Sequence, residues 1–202
     1  MYNIRLFVED NGHEIFLGAL IQRFASMYSI SIDPRFGNAE GGFGKMVSEL
    51  KEFIKDLLTD QEELPDLLIT ATDSNCQGLS KRKQQIKRAL KGYSGNVIYA
   101  IPDPHIEKWL LLDSAAFKKV LGKGCPAPPQ KCERDFYKRL LREAVRATGV
   151  NPPLGGIEYG EDIVNAMDLD KLERSTEVSL GHLLRDLRQQ FQTWQDIGRR
   201  QS

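Results

Sequence analysis

The residues best suited to chemistry in this 202-residue chain are short acidic clusters that follow apolar runs. Residues 67–78 read LLITATDSNCQG, an apolar run closing on small polar residues and then Asp73-x-Asn75. If the run is a buried strand, Asp73 and Asn75 place two oxygen ligands above a sheet edge, spaced to reach one hard cation such as Mg²⁺. Glu9 and Asp10 follow an earlier strand pattern, and Asp103, His105 and Glu107 a later one. His13 and His105 are the histidines near these ends, and an imidazole there can carry a proton or activate water. The same residues also suit ordinary turns and helix starts.

The positioning elements follow from periodicity. Strand patterns occupy 3–8, 28–32, 67–71 and 96–101, and helical stripes occupy 14–27, 45–58 and 80–91, with Ser80 as the expected N-cap of the last. Strands separated by helices of this length pair in parallel through right-handed crossovers. The fold class is therefore α/β, a mainly parallel Rossmann-like sheet flanked by helices with a C-terminal helical extension. Ligands in such sheets lie beyond the carboxyl ends of the strands, where these acidic residues fall. The division expected is an α/β core over 1–113 and a helical layer over 114–202, with a Gly- and Pro-rich loop at 121–131 and helical patterns at 133–148, 163–167 and 180–194.

Twenty-eight Lys and Arg balance twenty-eight Asp and Glu, so affinity for nucleic acid must come from a local patch. The helix after the Asp73 motif carries Lys81, Arg82, Lys83, Lys87 and Arg88 with no acidic residue, a candidate phosphate-backbone surface. Lys138, Arg139, Arg142 and Arg146 form a second basic stripe at helical spacing. The glycines of 37–45, GNAEGGFGK, lack Walker spacing, because Phe43 and Gly44 stand where Lys and Ser or Thr are needed. Cys76, Cys125 and Cys132 are an odd set without a zinc pattern and argue against a disulfide framework. A cytoplasmic location is expected, and no membrane crossing, since the apolar runs are too short.

Residues 71–78, ATDSNCQG, resemble the A-T-D-P-D-R-E-G signature of TOPRIM domains, found in topoisomerases, primases and OLD-type nucleases, and Phe7-Val8-Glu9-Asp10 is similar to the first TOPRIM motif. Residues 100–113, AIPDPHIEKWLLLD, resemble a segment of small TOPRIM-like proteins that accompany ATPases in bacterial anti-phage defence, and PLGGIEY at 153–159 is a looser echo. The resemblance implies a Mg²⁺- or Mn²⁺-dependent nuclease cleaving phosphodiester bonds. Its catalytic residues would be Glu9, Asp73 and Glu107, and its metal ligands Glu9, Asp73, Asn75 and Asp103. The implied partners are nucleic acid and a separate ATPase, and self-association into a homo-oligomer is left open. Asn75 replaces the second Asp of the signature and Gln77 its Glu, which lowers the charge offered to a cation. The alternative is a degenerate TOPRIM-like module that docks on an ATPase or nucleic acid without cutting, and a third class is a phosphotransfer enzyme on small nucleotides. An Asp73 carboxylate facing solvent would be dispensable for folding.

Overall fold

A computed structural model describes residues 1–37, 41–59 and 63–201. Four strands, β1 (Tyr2–Val8), β2 (Ile32–Gly37), β3 (Leu67–Ala71) and β4 (Val97–Ala100), form one all-parallel sheet in the order β2-β1-β3-β4. Every residue of β3 is buried, as a central strand covered on both faces requires. β2 holds Pro34, which lacks an N–H for the ladder and is tolerated because β2 is an edge. The crossovers are α1 (Asn11–Tyr28), α2 (Gly42–Leu58) and α3 (Leu79–Ala89). The fold class expected from the sequence is the one observed.

The second strand lies later than the apolar pattern suggests. α1 runs through Tyr28, whose ring stacks on Phe24 one turn earlier. Ser29 then adopts a left-handed conformation, its N–H donating to the carbonyls of Ala25 and Ser26, and the strand begins only at Ile32. Ser80 is likewise not the N-cap of α3; Gly78 holds that position without a side-chain bond.

Beyond β4 come α4 (Ile106–Leu110), α5 (Ser114–Leu121), α6 (Phe136–Arg146), α7 (Gly160–Ala166), α8 (Leu169–Glu173) and α9 (Val178–Gln201). Residues 124–133 have no regular structure, as their glycines and prolines imply. Leu180, Leu183, Leu184, Leu187, Phe191 and Trp194 form the buried stripe of α9, with Phe191 against Phe24 and Trp194 stacked on Tyr2. The helices after residue 113 thus share one core with the sheet. Asp113 joins them: its Oδ1 accepts from Ala115 and Ala116 N–H at the start of α5, and its Oδ2 from Asp168 N–H before α8.

The loop before α7 is tied closely to α6 at Gly156, where φ is +101° and a Cβ would stand 2.9 Å from Val145 Cγ2 and 3.0 Å from Leu141 Cγ. Gly156→Ala is expected to cost about 1–3 kcal/mol through backbone strain and overpacking. Urea denaturation checks this, and an unchanged midpoint would show that the loop yields.

Candidate active site

The strand order reverses direction between β1 and β3, and the crevice beyond their carboxyl ends is where an open α/β sheet exposes side chains from two crossovers at once. Glu9 follows β1 and its N–H donates to Ala71 O of β3 at 2.9 Å. Its Oε2 accepts from Asp73 N–H at 3.0 Å and from the Thr72 hydroxyl, while among the described residues Oε1 is unengaged. Glu9 and Asp73 therefore meet at one edge, as two strand-end residues on neighbouring parallel strands should.

Asp73 is 7% exposed, and its buried carboxylate is a hub. Oδ1 accepts from Ile106 N–H at 2.9 Å, and Oδ2 from His105 Nδ1 at 2.8 Å. His13 Nε2 lies 3.2 Å from Oδ1, an ion-pair contact without the alignment of a hydrogen bond. The other side of the His13 ring donates from Nδ1 to Asp10 Oδ1 at 2.8 Å, and the same oxygen caps α1 by accepting from His13 N–H. The expectation of a solvent-facing, dispensable Asp73 is thus corrected: the first turn of α1 and the start of α4 both close over it.

This packing sets the charges. Burial opposes ionisation of His13, which is fully enclosed, but the bond with Asp10 and the contact with Asp73 outweigh it and raise its pKa to about 10. Burial would also push Asp73 up, yet His105 and His13 pull it down to about 2. Asp10 is lowered against its own burial by His13, and His105 is raised against its burial by Asp73. At neutral pH His13 is thus a cation held between the anions Asp10 and Asp73, and Asp73 favours the protonated form of His105.

Glu107 on α4 is 6% exposed, and its Oε2 is buried without a hydrogen-bond partner. Burial, and then Asp73 and Asp10, push its pKa up. Lys138 of α6 stands with Nζ 4.0 Å from Glu107 Oε1. Glu107 and Asp10 line a cleft of about 240 Å³ whose opposite wall is α6, through Lys138, Leu141 and Arg142.

The remaining sequence candidates are placed differently. Asp103 Oδ1 accepts from the Ser74 hydroxyl at 2.6 Å, so it anchors the Asp73 loop. Asn75 is exposed in a left-handed turn, its N–H donating to Pro104 O, and among the described residues no hydrogen bond joins its side chain to Glu9 or Asp73. Arg82 is 2% exposed, its guanidinium 3.9 Å above the Phe43 ring and bonded to Gln85; it faces Glu9 and Asp73 electrostatically and does not reach solvent. Lys81, Lys83, Lys87 and Arg88 are exposed, with Lys83 over Tyr99, and Lys87 and Arg88 lie in the last turn of α3, away from the strand ends. Of the glycine-rich stretch, residues 38–40 lie outside the described residues. Cys76 and Cys132 are joined in a disulfide with Cα atoms 5.8 Å apart, tying the Asp73 loop to the segment before α6, and Cys125 is free and buried. An odd cysteine count cannot exclude one bridge. Of the other residues gathered here, the sequence marks Asp10 by its place at a strand end and Lys138 by its place in a basic stripe, whereas no local pattern marks Thr72.

Divalent metal, implied by the TOPRIM resemblance, is tested by the donors present. Among the described residues no three His, Cys, Asp or Glu side chains are gathered as a ready cage. Asp73 has at most one carboxylate lone pair left, because two N–H donors and the His13 cation use the others. Glu9 Oε1 and the orphaned Glu107 Oε2 are hard oxygen donors of the right chemistry, and a buried carboxylate without a partner requires a proton or a cation. Glu107 is the residue best suited to hold a cation at this edge; Glu9 is fixed through Oε2 to the Asp73 loop and does not line the Glu107 cleft, and Asn75 and Asp103 do not join it.

The fold and this edge define an α/β protein with a carboxylate–imidazole cluster at the switch point of a parallel sheet. Residues 8–188 match the family model described as Domain of unknown function (DUF4276), and the chain belongs to that family. No curated protein and no solved structure gave a significant match to the chain.

Proposed function

We propose that this protein hydrolyses phosphodiester bonds in nucleic acid with the help of Mg²⁺ or Mn²⁺, using the carboxylates gathered around Asp73. The observation that supports this most is Glu107, a buried carboxylate with an unpartnered oxygen on the wall of a cleft open to solvent. When bound, a divalent cation would supply charge stabilisation for the phosphorane-like transition state. Asp73 orients His105 through Nδ1, leaving Nε2 as the outward end of a half-buried ring. Asp73 raises the pKa of His105 against its burial, favouring the protonated ring from which a leaving oxygen would take its proton. Glu9, fixed through Oε2, keeps the strand ends together and presents Oε1.

A separate ATPase as partner, a role in anti-phage defence and a cytoplasmic site of action belong to the same proposal. Among the described residues no helix is long and apolar enough to cross a membrane. The Cys76–Cys132 bridge pulls against the cytoplasm, where thiols are kept reduced. The non-catalytic module is favoured by one observation, the near-saturation of Asp73 by His13, His105 and Ile106.

Labelled single- and double-stranded DNA and RNA, incubated with the chain and Mg²⁺ or Mn²⁺, separate the two readings. Cleavage that stops with excess chelator and falls at least about a hundredfold in Glu107→Gln is expected. Failure to cut any of these substrates, with wild-type protein folded, hands the site to the module.

A further inference from the structure

The basic stripe of α6 is absorbed by neither the fold nor the carboxylate cluster. Lys138 and Arg142 lie one helical turn apart on the same face, and both line the cleft opposite Glu107 and Asp10. Lys138 keeps a loose 4.0 Å pairing with Glu107, and among the described residues Arg142 has no ionic or hydrogen-bond partner. Their helical neighbours behave otherwise: Arg139 points away and pairs with Glu133. The 154–157 loop lies against the Arg142 guanidinium, since a Cβ at Gly155 would stand 3.8 Å from Nη2. Leu154, exposed, and Ile157 give the cleft an apolar flank beside these cations.

We infer that Lys138 and Arg142 are the ligands of a substrate phosphate and that the strand delivering it is single. One cation without a partner among the described residues, Arg142, and one held only loosely by Glu107, Lys138, match the phosphate on which the cluster would act, and the apolar flank matches the adjoining sugar. At about 240 Å³ the cleft is smaller than pockets that enclose a whole drug-sized ligand, so it has room for a phosphate with its sugar, and a phosphate that must enter between α6 and the Glu107 wall is reached more easily on a flexible single strand than on a stiff duplex. Of the contact surface expected on α3, Arg82 is buried, Lys87 and Arg88 lie in the last turn, and the exposed Lys81 and Lys83 do not line this cleft. This rests on reading the cleft as a phosphodiester site and adds which strand form it accepts and which residues grip it.

Fluorescence anisotropy in excess chelator, where no cleavage is required, tests it with a labelled single-stranded oligonucleotide, its duplex, a mononucleotide and inorganic phosphate. Wild type should prefer the single strand over the duplex by about tenfold or more. Lys138→Ala/Arg142→Ala should weaken single-strand binding at least about tenfold and reduce the slope of log K against log salt by about 1.4, two contacts at about 0.7 each. Lys138→Arg/Arg142→Lys should stay within about threefold of wild type, and Lys87→Ala/Arg88→Ala should change nothing. Unaltered binding by the double-Ala variant, a preference for duplex, or loss in the charge-preserving variant would overturn the inference, as would mononucleotide or phosphate binding as tight as the strand. Strand binding through α6 without cleavage by wild type sinks the hydrolase and spares this inference; cleavage that ignores the double-Ala substitution does the reverse.

Discussion

Asp73→Ala is expected to remove about 3–5 kcal/mol of folding stability, and with it the hydrolysis proposed for this site. The loss follows from what the substitution leaves behind. His13 stays enclosed with only Asp10 to balance its charge, Ile106 N–H loses its acceptor beneath the surface, and His105 loses the partner that orients it. Breaking a buried pair from one side costs this much because the remaining charge is left unsolvated and less well compensated. Chemical denaturation gives the stability, and activity is read at a temperature where the variant is still folded. A variant as stable as wild type would mean that the first turn of α1 does not depend on Asp73.

Wild-type stability, measured in chelator, is expected to fall as the solution is made alkaline. His13 has its pKa raised from 6.5 to about 10 by Asp10 and Asp73 despite burial, so the folded chain holds a proton that the unfolded chain has released. Its contribution is complete below about pH 6.5 and is lost as pH rises through about 10. Within that window the slope approaches about 1.4 kcal/mol per pH unit. Asp73, lowered from 3.8 to about 2, acts at the other limit, its contribution present above pH 3.8 and lost as pH falls through about 2. His105, raised by Asp73, adds to the alkaline loss, with Glu107 and Lys138 as the charges facing it. His13→Gln should flatten the alkaline limb; a limb just as steep in that variant would place the titration elsewhere.

Much of this edge was legible because parallel strands put their last residues together. Glu9 and Asp73 could be paired from two strand patterns alone, and β3 could be recognised by an apolar run without alternation. β2 could not, since Pro34 and two charged residues suit an edge strand and hide its period, while Tyr28 prolongs α1 by packing on Phe24. His13 was visible only as a residue near a helix start; that Asp10 caps the helix and turns the ring onto Asp73 depends on the angle at which α1 leaves β1. Arg82 sits in a run of basic residues that pattern reading assigns to solvent, but stacking on Phe43 takes it inward. Lys138 and the Cys76–Cys132 bridge depend on how α6 returns across the sheet edge, which no local pattern encodes.

The most direct measurement is calorimetric titration of chelator-treated wild-type protein and Glu107→Gln with Mn²⁺. The cation site proposed at Glu107 predicts one saturable site in wild type, weakened at least about tenfold when Glu107 loses its charge. No heat of binding in folded wild type, or binding that Glu107→Gln leaves untouched, would contradict a cation site at this edge.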